Sequence, residues 1–187
     1  MKADLPSPET LRKLLRYEPE TGKLFWRERE RSMFPTNRSW KWWNKRFADT
    51  EALAHISPYG YRQGAIFNRT HQAHRVIWAL QTGSWPTDQI DHIDRNPSNN
   101  KLSNLRPASN AQNNANKPAS LKSRSAFKGV SWHIQNKVWQ AQITQNRKCF
   151  YLGCFPSEIE AAKAYDAEAI KMHGEFANLN FPERKVA

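Results

Sequence analysis

The sequence predicts an α+β protein built from two modules. Three observations carry this. Short capped apolar stripes at helical spacing alternate with strands of period two in both halves of the chain. The stretch 116–125 has one large apolar residue, Leu121, among Pro118, three serines and three cations, and it reads as a linker. Turn formers at Gly22, Asn68, Gly83, Asn136 and Asn146 separate elements.

The elements come in this order. Ser7 and Pro8 open a helix with Leu11, Leu14 and Leu15 on its apolar face, expected to stop before Pro19. Residues 23–27 read as a short strand. Residues 59–67 and 70–73 form a hairpin around Asn68-Arg69, and residues 74–82 a helix ended by Gly83. A strand over 89–93, a polar loop over 94–100, a second extended segment over 102–105 and a helix over 109–116 come next. Behind the linker, strands are expected over 127–133, 138–144 and 148–152. A helix over 158–172 completes the set, capped by Ser157 and ended by Gly174.

Composition narrows the function. The 187 residues carry a net charge of +12, and 39% of them are hydrophobic, including eight Trp. That is too apolar for a disordered basic tail, and it points to a polyanionic partner, nucleic acid first. No apolar run is long enough to span a membrane, and the first eight residues lack a signal core. The expectation is a cytoplasmic protein. Cys149 and Cys154 are the only cysteines, which excludes a four-cysteine zinc site and a disulfide scaffold.

Two segments invite chemistry. In Trp40–Arg46, three Trp alternate with cations, which suits either packing into the core or stacking on DNA. Residues 90–116, IDHIDRNPSNNKLSNLRPASNAQNNAN, read strand, polar loop, strand, helix. Asp91 and Asn113 offer oxygen ligands to a hard ion, His92 can take a proton from water, and Asn104 can orient the imidazole. The same residue types also suit a polar loop of turn formers without chemistry. His74 suits either a second catalytic role or packing and phosphate contact at a helix start.

Residues 90–116 resemble the ββα-metal (His-Me finger) site of the HNH endonucleases, especially the phage and intron-encoded homing type. The likeness extends to Leu14–Gly22, Trp43–Ala48, Ala73-His74-Arg75 and Trp85-Pro86. It implies a nuclease module over 1–116 with its ββα core at about 86–116, then a basic linker over 117–124. It makes His92 the general base, oriented by Asn104, and Asp91 and Asn113 the ligands of Mg2+ or Mn2+. Many members end the motif in His. Asn113 in that place argues for an oxygen-preferring ion and against zinc, and Asn110, Asn114 and Asn116 lie close by.

Residues 125–182 are similar to the APETALA2/ethylene-response-factor DNA-binding domain, through Lys128-Gly129-Val130, Trp139-Gln140-Ala141, Tyr151–Phe155, Glu160–Asp166 and Leu179–Pro182. The likeness implies a three-stranded antiparallel sheet packed on one helix. Contacts to DNA would fall on Lys128, Ser131, Gln142, Thr144, Cys149 and Tyr151, with Lys122 and Arg124 of the linker beside the phosphates. Several of these positions are Arg, Glu or Trp in the plant factors, so the plant target sequence does not carry over. The combined expectation is a metal-dependent homing-type endonuclease acting on double-stranded DNA. It would be a monomer or weak dimer, with no membrane partner and no small-molecule cofactor. The alternative is a catalytically inactive, sequence-specific DNA-binding regulator.

Overall fold

Ser7 Oγ accepts the Thr10 amide at 3.1 Å and starts α1 (Pro8–Leu14), with Pro8 in the first turn. The helix ends four residues earlier than expected. Leu15–Glu18 instead forms β1, which pairs antiparallel with β2 (Lys23–Trp26), and this ladder outcompetes helix propensity. These elements come from a computed structural model that describes residues 5–119 and 124–182. Lys122 lies outside the described residues. The chain divides into two compact units, residues 1–107 and 108–187. Nine residues separate this division from the expected end of the first module at 116, because α4 (Asn110–Asn116) packs with C-terminal segments, Phe176 among them.

In the first unit, a 3-10 turn at Arg31–Met33 precedes α2 (Asn37–Phe47), which begins with a capping box between Thr36 and Ser39. No element is expected over this segment from the sequence. Trp40, Trp43 and Phe47 nonetheless fall at helical spacing on one face, although none of the helix's residues is buried. The chain returns as β3 (Glu51–Ala52) against β2, then forms a second sheet in the order β4 (His55–Ile56), β5 (Arg62–Ile66), β6 (Arg69–Gln72). The β5–β6 turn is Phe67-Asn68, one residue before the expected place, with φ of 48° and 58°. A left-handed backbone at a bulky residue costs about 1–2 kcal/mol.

The helix α3 (Ala73–Thr82) ends at left-handed Gly83. Leu11, Leu14, Leu24, Ile66, Val76 and Ile77 form the core of this unit. Ile90 of β7 (Gln89–His92) and Leu105 of β8 (Leu105–Ala108) join it and anchor that two-stranded sheet.

In the second unit, Ser109 and Gln112 cap α4 reciprocally. A seven-residue helix rich in Asn has little stability of its own. Tertiary contacts supply it. Ala115 packs with Ala108 and Phe176, Asn178 Nδ2 donates to the Lys117 carbonyl at 3.0 Å, and Lys128 Nζ donates to the carbonyls of Ala115 and Lys117. A cation on the last carbonyls also opposes the helix dipole.

The sheet runs β11 (Lys148–Phe155), β10 (Val138–Gln145), β9 (Val130–His133), all antiparallel, with a bulge at Ala141/Gln142. Ala161 and Ala162 of α5 (Glu158–His173) cluster with Val130 and Ala141, and Tyr165 and Ala169 with Ile143. Asp166 accepts the amides of Asn180 and Phe181, both at 2.8 Å, and Asn180 in turn bonds both backbone groups of Lys128.

Gly129 is the tightest point. Its φ is +74°, and a Cβ there would stand 2.0 Å from the Tyr165 ring and 2.6 Å from the Gln142 carbonyl oxygen. Overpacking and a left-handed alanine together predict that Gly129→Ala destabilises this unit by about 2–4 kcal/mol. Urea unfolding checks this, and a loss below about 0.5 kcal/mol would contradict it.

Candidate active site

The site grows from β7. Arg75 on α3 donates to the carbonyls of Pro86 and Asp88, both at 2.9 Å, and sets the approach to the strand. Ile90 then points into the core, and Asp91 and His92 come next, both buried. Asp91 Oδ2 accepts both Nε (3.0 Å) and Nη2 (2.9 Å) of Arg106 on β8, a charge pair almost sealed from water. Such a pair is geometrically fixed, and removing either member leaves a buried charge.

His92 Nε2 lies 2.9 Å from Asn100 Oδ1. The oxygen has no proton to give, so Nε2 carries the hydrogen and the lone pair resides on Nδ1. Burial lowers the His92 pKa, and the Asn100 bond and the charges of Asp94 and Asp91 only partly offset it. The ring is therefore neutral at physiological pH. The His74 ring meets it edge-on at 5.1 Å, with Tyr61 at 5.4 Å from His74 and 5.9 Å from His92. Burial, the His92 charge and Arg75 push His74 down to about 3, and its Nδ1 is buried without a partner. His74 is thus a packing group against the His92 ring, neutral at physiological pH.

Asn104 does not hold the imidazole. Its Oδ1 accepts the Asp94 amide at 3.0 Å, and its Nδ2 donates to Asp94 Oδ1 and to the Asn99 carbonyl, both at 2.8 Å. It closes the 94–100 loop. Burial alone would raise the Asp94 carboxyl, but bonds from Asn99, the Asn96 amide and Asn104 bring it below its ordinary value.

The orienting residue is Asn100, which sequence reasoning missed. Asn96, Asn99 and Asn100 look alike in a turn-rich loop, and only three-dimensional placement separates them. The N-terminal hairpin places Asn100. Tyr17 Oη donates to its carbonyl at 3.3 Å and accepts the Leu102 amide at 2.8 Å. Gly22, at φ +69°, lets the β1–β2 turn approach so closely that a Cβ would meet the Asn100 carbonyl carbon at 2.7 Å.

The other expected residues lie in the second unit. Asn113 is half-buried on α4, its amide bonded to the Ser109 carbonyl at 2.9 Å. Gln142, Thr144, Cys149 and Tyr151 share one exposed sheet face, with Gln142 opposite Tyr151 and Thr144 opposite Cys149. Ser131 stands opposite Gln140 on the neighbouring strand. Arg124 is exposed. Lys128 departs from the expected role, because its ammonium is directed at the α4 carbonyls. Among the described residues, no group of three or more His, Cys, Asp or Glu side chains could hold a metal, and no helix is long and apolar enough to cross a membrane.

Comparison with known proteins finds likenesses in both halves of the chain. A family model for HNH endonuclease matches residues 71–115, from β6 through α4. A protein of Acanthamoeba polyphaga mimivirus, named an uncharacterized HNH endonuclease, is 39% identical over 111 residues, 58% of this chain and 57% of that protein. Protein 3.8 of Escherichia phage T7 is 34% identical over 83 residues, 44% of this chain and 69% of its own length. An AP2-like ethylene-responsive transcription factor of Arabidopsis thaliana is 48% identical over 59 residues of the C-terminal region, 30% of this chain and 10% of the plant protein. The chain thus spans little more than half of the mimivirus protein and a small part of the plant factor. No solved structure matches.

The buried imidazoles set a pH dependence. The folded pKa of His74 lies below the unfolded value of 6.5, so the stability it contributes is complete above 6.5 and is lost as pH falls toward 3. His92 acts in the same direction. Unfolding free energy should fall by roughly 1 kcal/mol per pH unit between pH 6 and 5, and His74→Phe should remove most of that slope. A His74→Phe protein that keeps the full slope would exclude His74 as its source.

Proposed function

This chain belongs to the HNH endonuclease family, and from that premise we propose that it is a homing-type endonuclease hydrolysing phosphodiester bonds in duplex DNA. The observation that carries the proposal is the His92–Asn100 pair beside Asp91. It is a neutral imidazole with its proton held on Nε2, so Nδ1 is the basic nitrogen. Nδ1 takes the proton of a water in line with the scissile bond, leaving 5′-phosphate and 3′-hydroxyl ends. Tyr17 and Gly22 keep Asn100 in place, and Asn104 shapes the loop between them.

A divalent ion belongs to the reading, and the donor chemistry fits one. Asp91 supplies a carboxylate and Asn113 an amide oxygen, hard donors without a thiolate. Magnesium and manganese accept such a sparse protein set because water and phosphate complete their shells. When bound, the ion offsets the negative charge that develops on the phosphate and the departing 3′ oxygen. The metal-ligand role of Asn113 rests on its place in the family motif.

Site preference is assigned to the C-terminal domain over about 125–182, through the exposed face of Gln142, Thr144, Cys149 and Tyr151, with Ser131 at its edge and Arg124 near the phosphates. Gln142 suits bidentate recognition of adenine. One observation favours a second reading, a DNA-binding regulator without cleavage. The two bonds from Arg106 occupy Oδ2 of the very carboxylate that would hold the ion.

Plasmid DNA with magnesium separates the two readings. The expected result is conversion of supercoiled to nicked or linear DNA, abolished by EDTA and restored by magnesium or manganese. No conversion in either ion would leave the regulator reading standing. His92→Ala should lower the cleavage rate by about 10²–10⁴-fold with DNA affinity nearly unchanged. Asn100→Ala should lower it by roughly 10–100-fold through loss of the tautomer. A full-rate His92→Ala enzyme would remove His92 as the base.

A further inference from the structure

The eleven residues of α2 include Arg38, Lys41, Lys45 and Arg46 and no carboxylate. Trp40, Trp42 and Trp43 do not enter the core, and Trp42 is 56% exposed. Trp43 instead forms one wall of a cavity of about 420 Å³, completed by Trp26, Arg29, Phe47, Phe67 and Asn68. That volume lies within the range of small-ligand sites.

Two features of the cavity stand out. The first is Arg29. Its guanidinium lies 3.8 Å from the Trp43 ring centroid and 5.1 Å from that of Trp26, its Nε is buried without a hydrogen-bond partner among the described residues, and it forms no ion pair among them. Its backbone is fixed. Asn44 accepts its amide and donates to its carbonyl, both at 3.0 Å, and Trp40 Nε1 donates to the same carbonyl at 2.8 Å. The second is Phe67, 60% exposed at the hairpin tip with left-handed φ. An Asn-Gly turn would have no such strain. Strain maintained at an exposed aromatic is a mark of function rather than of packing.

Aromatic walls with one unpaired cation match a flat ring joined to an anion, as a base is joined to its phosphate in a nucleotide, and the helix beside them carries only positive charge. A paired base cannot present its face, so the occupant must be out of the stack. We propose that this cavity takes one unpaired nucleobase of the DNA strand, stacked among Trp43, Phe47 and Phe67, with Arg29 supplying the cation. The assignment rests on the reading of the chain as a DNA-acting protein. It adds a site for a deformed strand, distinct from the hydrolytic residues.

The test uses the full chain in EDTA, so that cleavage plays no part. Binding is measured to a duplex with one bulged 2-aminopurine nucleotide and to the same duplex fully paired. The native protein should bind the bulged duplex about tenfold more tightly and quench its fluorescence. Trp43→Ala and Phe67→Ala should bind both duplexes alike, with affinity for the paired one unchanged. Phe67 lies at an exposed tip, so Phe67→Ala decides the matter if Trp43→Ala does not fold. Equal affinity of the native protein for the two duplexes overturns the cavity assignment alone, as does a preference that survives Phe67→Ala. Failure to bind either duplex overturns the DNA-acting reading, and this assignment with it.

Discussion

Asn100 is 0% exposed, yet it carries a side-chain amide and two backbone polar groups. Burying such a residue is costly unless its bonds are made, and its Nδ2 has no hydrogen-bond partner among the described residues. The fold keeps it because of what its oxygen does for His92. Around this one bond the N-terminal unit is arranged. The β1–β2 hairpin supplies Tyr17 and the Gly22 turn to fix the Asn100 backbone, and α1 and α3 bury the leucines and isoleucines that hold the hairpin. The tight Tyr-Glu-Pro-Glu-Thr-Gly turn, far from His92 in sequence, is therefore part of the same machinery.

Much of this was legible in the sequence, for identifiable reasons. Ala141 and Ile143 alternate with Gln140 and Gln142, and the alternation survives as buried and open faces of β10. Ser7, Ser109 and Ser157 announce helix starts through short-range bonds that need no tertiary context. Asp91-His92 stands out through the likeness to the HNH motif, since the same residue types also suit a polar loop of turn formers.

The illegible parts depend on long-range competition. Leu15–Glu18 has a helical apolar pattern, and only the distant Trp26 partner turns it into a strand. The choice of Asn100 over Asn104 as the partner of His92 comes from the approach of Tyr17, which no local pattern encodes. The helix over 37–47 is harder to read, because cations lie between Trp40, Trp43 and Phe47 and the face they form is not buried. Lys128 falls on a DNA-contact position of the plant domain, and that likeness carries no sign of the carbonyls it meets here.

That lysine has a consequence for how such proteins diversify. A linker between two modules looks like the natural seam for recombination, where one C-terminal domain is exchanged for another. Here α4 takes its support from Phe176, Asn178 and Lys128, all beyond the seam. A foreign domain joined at 117–124 would arrive without those three side chains, and a short Asn-rich helix would lose most of what holds it. Successful shuffling must therefore carry α4 along with the C-terminal domain, with the crossover at about Pro107. Lineages of this architecture should inherit helix and domain as one block.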